Sequence, residues 1–468
     1  MSLSVANSKS RSMAKIHLWI DNQQHTSDIV FPIVNNESGI TVHEAYGANP
    51  ELAVQAAESA NRAFFSWRKT TPWYRRQMLL KAADYLRHKR DQVADLIRLE
   101  TPAPDVTIEK VNIDSSIELL EELAGAITIA SAGVVPHTRD ANTMAMIIKE
   151  PYGVHLGIAP WNASLFLAMR AVLTPIACGN TAILKASEFS PAIHQWIGKM
   201  LADVGFPPGV LNIVQHRRQD APQVLEALIA HRAVKKVNFT GSTAVGSIVA
   251  GVAARYCKPT LMELGGKAPQ VVLEDADLDA AAQAAVTGAL LHMVSITASW
   301  PMTSAVSEAG VAKTETLIRD ALAHGSSLAN PPPNNDQDSV LREAPSRLRP
   351  VILTKVTPKM RIYHEESFGP AVSILEFDSD DEALRLANES IYGLSASIFT
   401  ENVPRALRIA RQIDAGAVHI NSMSIHDEQQ LPHGGTKSSG WGRFGVPWSF
   451  DEFLQLKTIT VTSKYLEA

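Results

Sequence analysis

Two short segments carry side chains that could perform chemistry at the end of a strand. In MELGGK, Glu263 is followed by two glycines, and a carboxylate beside so permissive a backbone can approach a substrate and act as a general base. In APWNAS, the amide of Asn162 could donate to a developing oxyanion. Each residue also has a plainer interpretation, a surface carboxylate for Glu263 and a helix cap for Asn162.

Two further segments are typical of nucleotide binding. ILKASE places Lys185 and Glu188 just past a strand, where Lys185 could donate to a ribose hydroxyl and Glu188 could accept from one. FTGSTAVG places Gly241 and Gly246 between a strand and a helix, whose N-terminus offers N–H groups to a phosphate. The alternatives are a solvated loop pair for the first segment and close helix–strand packing for the second.

The segment HMVSITASWPM, residues 292–302, lacks the nucleophile that such a site would lead one to expect. It contains no cysteine, lysine or acid, and the two cysteines of the chain, Cys178 and Cys257, lie elsewhere at apolar helix ends. Both are predicted to be inert core thiols. With no C-x-x-C there is no cysteine zinc site, and none of the fifteen histidines has metal-ligand spacing. No metal is predicted, and His433 is interpreted as a loop histidine.

Composition restricts the class of protein. A chain of 468 residues favours two or three domains, and 46% hydrophobic with 19% charged residues is typical of a globular protein. The net charge of -5, with interspersed signs, argues against a nucleic-acid partner. No apolar run is long enough to span a bilayer, so neither a membrane span nor a membrane partner is expected. These features predict a cytoplasmic protein, with residues 1–15 as a disordered tail.

The order of elements predicts a doubly wound α/β fold. Long helices are expected over NPELAVQAAESANRAFFSWRKT, PWYRRQMLLKAADYLRHKRDQVADLIRLET and SIELLEELAGAITIASAG, after which strands alternate with helices. Ser190 and Asp220 are predicted to cap the helices that follow them. The last segment, DEFLQLKTITVTSKYLE, reads as a lone strand that would be safest paired with another chain.

Taken together and in this order, the segments resemble the aldehyde dehydrogenase superfamily from about Ile16 to the end of the chain. The resemblance rests on APWNAS, GNTAILKASE, FTGSTAVG, MELGGKAP, EESFGP, INSMSIHDEQQLPHGGTKSSGWGRFG and the final strand. The wording GIAPWNA, LKASE and HDEQQLPHGG is most similar to the salicylaldehyde and vanillin dehydrogenase branch. That similarity suggests a small hydrophobic substrate, with aromatic carbonyls included.

The resemblance implies a fold of three parts. Residues 16–133 and 150–264 would form a Rossmann-type dinucleotide-binding domain, and residues 265–445 an α/β catalytic domain. Residues 134–149 and 446–468 would form a small β oligomerisation extension. A homodimer or a homotetramer is the oligomer expected from it.

The resemblance also implies roles for individual residues. Asn162 would be the oxyanion donor and Glu263 the general base. Glu188 favours NAD, because a carboxylate accepts from ribose hydroxyls and repels a 2'-phosphate, whereas Lys185 nearby leaves NADP open. The residues that the resemblance implies for cofactor binding are Trp161, Lys185, Ser187, Glu188, Gly241, Ser242, Gly246, Glu366 and Phe368.

The chain departs from the family pattern where the family carries G-Q-x-C, with the cysteine as nucleophile. Alignment places Val294 at the glycine, Ser295 at the glutamine and Thr297 at the cysteine. A threonine hydroxyl without an adjacent base is a poor nucleophile, so ordinary covalent catalysis is not expected. Compared with the family pattern, the chain also lacks some tens of residues between about Val306 and Lys313.

Three hypotheses follow from this departure. The first is an NAD(P)-dependent oxidoreductase without covalent catalysis, in which Asn162 and Thr297 hold the substrate oxygen. The second is a non-redox isomerase, lyase or cyclase that uses the same pocket. The third is a catalytically silent binding protein.

Overall fold

The structure, a computed structural model, describes residues 14–35, 37–290, 303–304, 307–330, 341–344 and 346–463. The α-helices in these ranges are α1 (Pro50–Trp67), α2 (Pro72–His88), α3 (Arg90–Glu100), α4 (Ser115–Ala130), α5 (Ser164–Ala177), α6 (Pro191–Asp203), α7 (Ala221–Ala230), α8 (Thr243–Arg255), α9 (Leu278–Leu290), α10 (Glu308–Ala323), α11 (Arg361–His364), α12 (Asp380–Glu389), α13 (Val403–Ala410) and α14 (Phe450–Phe453).

The strands in the same ranges are β1 (Ala14–Ile16), β2 (Leu18–Ile20), β3 (Gln23–His25), β4 (Val30–Asn35), β5 (Ile40–Tyr46), β6 (Thr143–Pro151), β7 (Val154–Ile158), β8 (Thr181–Lys185), β9 (Leu211–Val214), β10 (Val234–Thr240), β11 (Thr260–Glu263), β12 (Gln270–Val272), β13 (Thr303–Ser304), β14 (Ser327–Leu328), β15 (Arg342–Ala344), β16 (Arg347–Leu348), β17 (Val351–Thr354), β18 (Ala371–Ser373), β19 (Ser395–Phe399), β20 (Ala417–Ile420), β21 (Gly440–Trp441) and β22 (Leu454–Thr462).

An eight-stranded sheet organises the first half of the chain, in the order β21-β11-β10-β7-β8-β9-β2-β3. Its five central strands, from β11 to β9, run parallel to one another. One face packs against α2, α4, α5 and α6, and the other against α1, α7 and α8. Because both faces are covered, β7 and β8 are buried along their whole length. The predicted doubly wound α/β fold is confirmed.

Smaller sheets complete the second half of the chain. Strands β12, β19 and β20 form a parallel sheet that packs against α12 and α13. Strands β14, β17 and β18 form a mixed sheet, with β14 antiparallel and β18 parallel to β17, and its core includes residues of α10. Strands β13, β15 and β16 form a third, and β4 pairs with β5 and β5 with β1 near the start of the chain.

The first third of the chain differs from the helical prediction in two ways. Five short strands, β1 to β5, precede α1, and the helix expected over residues 72–101 is two helices. Lys89, with φ −105° and ψ 11°, interrupts the helix between α2 and α3. The apolar spacing conceals this break because Leu79 and Ile97 bury their side chains in the same core.

Ser190 and Asp220 stand at the N-cap positions of α6 and α7, as predicted, but neither side chain makes the capping hydrogen bond. Asp220 pairs instead with Arg217 at 2.7 Å. The final strand β22 is not lone, because it pairs antiparallel with β6 of the same chain over nine residues. The division of the chain into three domains stays a prediction.

Candidate active site

The polar residues predicted from the sequence follow neighbouring strands at one edge of the large sheet. Ile158 at the end of β7 lies opposite Lys185 at the end of β8, and Thr240 at the end of β10 lies opposite Glu263 at the end of β11. Because these strands are parallel, the loops that follow them meet at the same edge. The fold therefore brings the nucleotide-type motifs and Glu263 to the same edge of the sheet.

Lys185 and Glu188 form an ion pair at this edge, with 3.5 Å between Lys185 Nζ and Glu188 Oε2. Although burial opposes ionisation of the Glu188 carboxyl, the charge of Lys185 and a backbone hydrogen bond hold its pKa below its usual value. Glu188 therefore stays an ionised acceptor, and only part of its side chain is exposed. The Lys185 ammonium as a donor and the Glu188 carboxylate as an acceptor fit the hydroxyls of a nucleotide ribose.

The glycine-containing turn is tied directly to Glu263. The backbone N–H of Gly241 donates to the carbonyl of Glu263 at 3.1 Å. Ser242 caps α8, its hydroxyl accepting from the N–H of Val245 at 3.4 Å. A Cβ atom at Gly246 would collide with the side chain of Leu264. Close helix–strand packing thus accounts for Gly246, while phosphate binding at this turn stays a prediction.

Two aromatic residues and a carboxylate close the same edge. The rings of Trp161 and Phe368 meet edge to face, with 6.0 Å between their centroids. Glu366 accepts from the N–H of Gly266 at 2.8 Å, and a Cβ atom at Gly265 would press against its carboxylate. The EESFGP and MELGGK segments are therefore in contact, as their shared assignment to one site requires.

Asn162 is not the cap of the helix that it precedes. The N-cap position of α5 belongs to Ala163, and the N–H of Leu165 is held by the side chain of Asn112 at 3.0 Å. Asn162 is half-buried, and its amide makes no hydrogen bond to the rest of the described chain. The capping interpretation is wrong, and the amide is free to donate to a substrate oxygen.

Glu263 lies in a cluster of four charged side chains, two of them buried and two half-buried. Its carboxylate contacts the guanidinium of Arg170, and its Oε1 lies 3.4 Å from His433 Nε2. Arg170 Nη1 also lies 2.9 Å from Asp427 Oδ2, and His433 Nδ1 lies 3.8 Å from Asp427 Oδ1. The interpretation of His433 as a simple loop histidine was therefore wrong.

The surroundings of Glu263 and His433 favour the charged forms of both side chains. Burial works against the charged form of Glu263, but Arg170 and His433 outweigh it and lower the pKa of Glu263 to about 2. Burial likewise works against the charge of His433, but Asp427 and Glu263 raise the pKa of His433 above its usual value. A carboxylate as acidic as that of Glu263 is a weak general base.

Arg170 is the residue that sequence reasoning missed. It is 2% exposed, and its guanidinium lies 4.3 Å from the ring centroid of Phe444 and 5.4 Å from that of Phe166. The signal was present in the sequence, because Arg170 is the one charged residue in SLFLAMRAVLTPIA, a helix buried at every position. A charge there needs a partner.

Thr297 and the remodelled segment around it lie outside the described residues. Both cysteines are described, and neither belongs to the site. Cys178 follows α5 at the end opposite Asn162, about 20 Å along the helix, and burial raises the pKa of its thiol. Cys257 follows α8 at the end opposite Ser242 and is exposed, so the prediction that it is a core thiol was wrong.

This combination of fold and site defines a class, the α/β enzymes that bind a dinucleotide at the carboxyl edge of a parallel sheet. The chain belongs to the aldehyde dehydrogenase family. The family's sequence profile matches residues 19–294 and 294–459. The two matched segments meet at the residue where the departure described above begins.

Relatives and solved structures resemble the chain over nearly its whole length. It is 40% identical over 457 residues to vanillin dehydrogenase of Pseudomonas sp. (strain HR199 / DSM 7063), covering 91% of this chain and 92% of that one. The crystal structure of a salicylaldehyde dehydrogenase from Pseudomonas putida G7, complexed with salicylaldehyde, superimposes with a TM-score of 0.91 at 33% identity, covering 96% of this chain and 99% of that one. Betaine aldehyde dehydrogenase from Staphylococcus aureus in complex with NAD+ gives 0.87 at 26% identity, covering 96% and 95%.

Within the described ranges, no helix combines the length and the hydrophobicity needed to cross a bilayer. No group of three or more histidine, cysteine, aspartate or glutamate side chains in those ranges is placed to hold a metal ion.

Proposed function

We propose that this chain is an NAD(P)-dependent oxidoreductase that acts without a covalent enzyme–substrate intermediate. Its substrate would be a hydrophobic carbonyl or alcohol, with aromatic compounds included. One observation carries the proposal: the nucleotide-type residues meet at the edge that holds Glu263, whereas both thiols of the chain lie elsewhere. The similarity to vanillin and salicylaldehyde dehydrogenases supports the aromatic substrate class.

The residues that would hold the cofactor are those that the sequence predicted. Lys185 and Glu188 would bind the adenosine ribose, and Glu188 would favour NAD because its charge repels a 2'-phosphate. Gly241 and Ser242 would lie at the pyrophosphate, with Ser187 and Gly246 shaping the same turns. Trp161, Glu366 and Phe368 would lie towards the nicotinamide half. The bound nicotinamide would supply the hydride donor or acceptor.

The cluster around Glu263 favours one form of this reaction. Glu263 is ionised and paired with Arg170, so it would activate water only weakly. A substrate that arrives as an alcohol or as an aldehyde hydrate needs no activated water. Its carbon would transfer a hydride to NAD+ while its hydroxyl proton would pass to solvent water, which leaves the aldehyde or the acid. Asn162 and Thr297 would hold the substrate oxygen during that transfer. The same pairing weakens Glu263 as the acid/base of a non-redox reaction.

Cofactor binding is the first test. We expect NAD to bind saturably in calorimetry, and more tightly than NADP. Incubation with aromatic alcohols, aldehydes and NAD should then give products two mass units lighter than the alcohol or the hydrate. Absence of nucleotide binding at millimolar concentration contradicts the proposal. A product of unchanged mass would favour an isomerase instead.

A cysteine substituted at position 297 tests the proposed loss of covalent catalysis. A thiolate is a far better nucleophile than a threonine hydroxyl, so Thr297→Cys should raise aldehyde-dependent NADH formation by at least about tenfold. Thr297→Ser, which retains a hydroxyl, is the matched control and should leave the rate unchanged. No increase with Thr297→Cys across aromatic and aliphatic aldehydes would count against an oxidoreductase site.

We further propose that β6 and β22 form the interface of a homodimer or homotetramer. These strands form a two-stranded sheet of their own, and nearly all of β22 is exposed within one chain. Leu456 is 69% exposed, and Val461 and Ile459 are 41% and 37% exposed. An apolar strand left this open favours burial against a second copy. The proposed domain boundaries assign residues 134–149 and 446–468 to this extension.

A further inference from the structure

We infer that His194 is a positioning residue that fixes the nucleotide-binding loop relative to the loop of Asn162. The inference rests on the proposed function in one respect, namely that Lys185 and Glu188 bind the cofactor. The two hydrogen bonds of His194 go to neither of these side chains. His194 acts through the backbone of the segments that carry them.

The imidazole of His194 bridges two loops from the interior of the protein. It lies in α6 and is fully buried. Its Nδ1 accepts from the N–H of Ser187 at 3.1 Å, and its Nε2 donates to the carbonyl of Ser164 at 2.8 Å. Because one partner is a donor and the other an acceptor, a single neutral tautomer satisfies both. Burial lowers the pKa of His194 to about 3, so the ring stays neutral and both bonds persist at working pH.

The two bonded groups lie at functional positions. Ser187 is in the loop between Lys185 and Glu188, and Ser164 begins α5, two residues after Asn162. These loops follow β8 and β7, which are neighbours in the sheet. The strands fix where each loop begins, but a loop that leaves a strand end can still tilt. One rigid ring bonded to both loops sets their separation.

The start of α6, which carries His194, and the segment that contains Ser164 are each fixed by a further buried side chain. Glu100, which is 1% exposed, accepts from the N–H groups of Ala192 and Ile193 at 2.9 and 3.0 Å, and so fixes the first turn of α6 beside His194. The buried side chain of Asn112 accepts from the N–H of Leu165, next to Ser164. The imidazole therefore has little freedom to follow a loop that moves. Its two hydrogen bonds therefore hold the two segments at a fixed separation.

Three substitutions at His194 separate the two bonds. Leucine removes both bonds. Asparagine places its amide near Nδ1 and can retain the Ser187 bond, whereas glutamine reaches the position of Nε2 and can retain the Ser164 bond. Ile197→Ala is the control, because Ile197 is a fully buried residue of the same helix that packs in the core. It should destabilise the protein without altering the loops.

The affinity for NAD, measured by calorimetry, is the first readout. Because both bonds are needed to set the separation of the two segments, loss of either should weaken NAD binding about tenfold in His194→Leu, His194→Gln and His194→Asn. Ile197→Ala should bind NAD as the parent does, despite a lower Tm. An unchanged Kd in His194→Leu overturns the inference, as does equal weakening in Ile197→Ala.

Amide hydrogen exchange in residues 185–188 is the second readout and needs no ligand. The N–H of Ser187 should lose protection in His194→Leu and His194→Gln and keep it in His194→Asn and Ile197→Ala. If the parent binds no NAD, the proposed function fails, and hydrogen exchange alone then tests whether His194 orders the loop. Equal protection in all four variants overturns it.

Discussion

The contact between Arg170 and Glu263 places full charges in a part of the protein that is otherwise apolar. Removing such charges from water is costly, and the cost is offset only while each charge keeps its partners. Arg170 has two acidic partners, Glu263 and Asp427, and a ring of Phe444 against its guanidinium. The cluster is therefore stable as a unit and sensitive to the loss of any one member.

We expect Arg170→Met to lower the free energy of unfolding by about 3–5 kcal/mol, because Glu263 would be left buried without its partner. Denaturant unfolding measures the change. Arg62→Met is the control, since Arg62 and Asp21 form an ion pair with side chains 63% and 39% exposed. That substitution should cost less than about 1 kcal/mol. Equal losses in the two variants would contradict the structural role assigned to Arg170.

Glu100 gives a prediction for the pH dependence of stability. Burial raises the pKa of Glu100 to about 8, although the N–H groups of Ala192 and Ile193 oppose the shift. The native protein thus holds a proton that the unfolded chain releases above about pH 4.5. The stability that this proton contributes is complete below that pH and is lost as the pH rises towards 8.

Glu100→Gln removes this titration. Relative to the parent, the variant should be less stable at pH 5, because a neutral amide caps α6 less well than the native side chain. By pH 9 the free energy of unfolding of the variant should have risen by a few kcal/mol relative to that of the parent, because the parent then carries a buried charge. Urea unfolding at the two pH values tests this. A stability difference that does not change with pH would show that Glu100 is ionised throughout.

At the scale of elements, α8 shows why a glycine motif has two interpretations. Gly246 faces Leu264 across the helix–strand contact, whereas a Cβ atom at Gly251 in the same helix would have nothing within 4 Å. Both positions are helical, so their intrinsic cost is the same. Only the packing differs between them.

Gly246→Ala and Gly251→Ala should therefore change stability in opposite directions. Overpacking against Leu264 should make Gly246→Ala less stable by about 1–3 kcal/mol. Gly251→Ala should stabilise the protein by about 0.5–1 kcal/mol, because alanine is the better helix former. Thermal and denaturant unfolding provide the comparison. Stabilisation by both substitutions would mean that α8 has room to shift, and that Gly246 is present for another reason.

The start of α6 shows how a helix boundary can be predicted correctly with the wrong cause. Ser190 predicted where the helix begins, and the helix does begin at the next residue, Pro191. The N–H groups of the first turn are nevertheless satisfied by Glu100, from the end of α3. Local sequence reports that a chain can start a helix, but not which distant acceptor arrives there.

At the scale of the whole molecule, the exposed sheet of β6 and β22 is the surface proposed to join copies of the chain. We expect Leu456→Asp to reduce the sedimentation coefficient at micromolar concentration, because a buried carboxylate across a subunit interface is costly. Phe65→Asp, at a residue that is 58% exposed on α1, is the control and should leave the assembly unchanged. If Leu456→Asp sediments like the parent protein, the interface lies elsewhere.

The sequence by itself determined the class of fold and the strand ends at which several polar residues would meet. It could do so because alternation of apolar runs, glycines at turns and polar residues at strand ends are local properties that every parallel α/β sheet requires. Lys185, Glu188 and Glu263 were predicted in this way, and the structure places all three at one edge of the sheet.

Only the tertiary structure decided which charges meet. Arg170, Glu263, Asp427 and His433 are separated along the chain by up to 263 residues yet share one cluster, and His194 joins two loops from a third segment. The pKa values of these groups depend on distance and burial rather than on neighbours in sequence. The sequence predicted a base at Glu263, and the fold supplied the arginine that keeps that carboxylate ionised and paired.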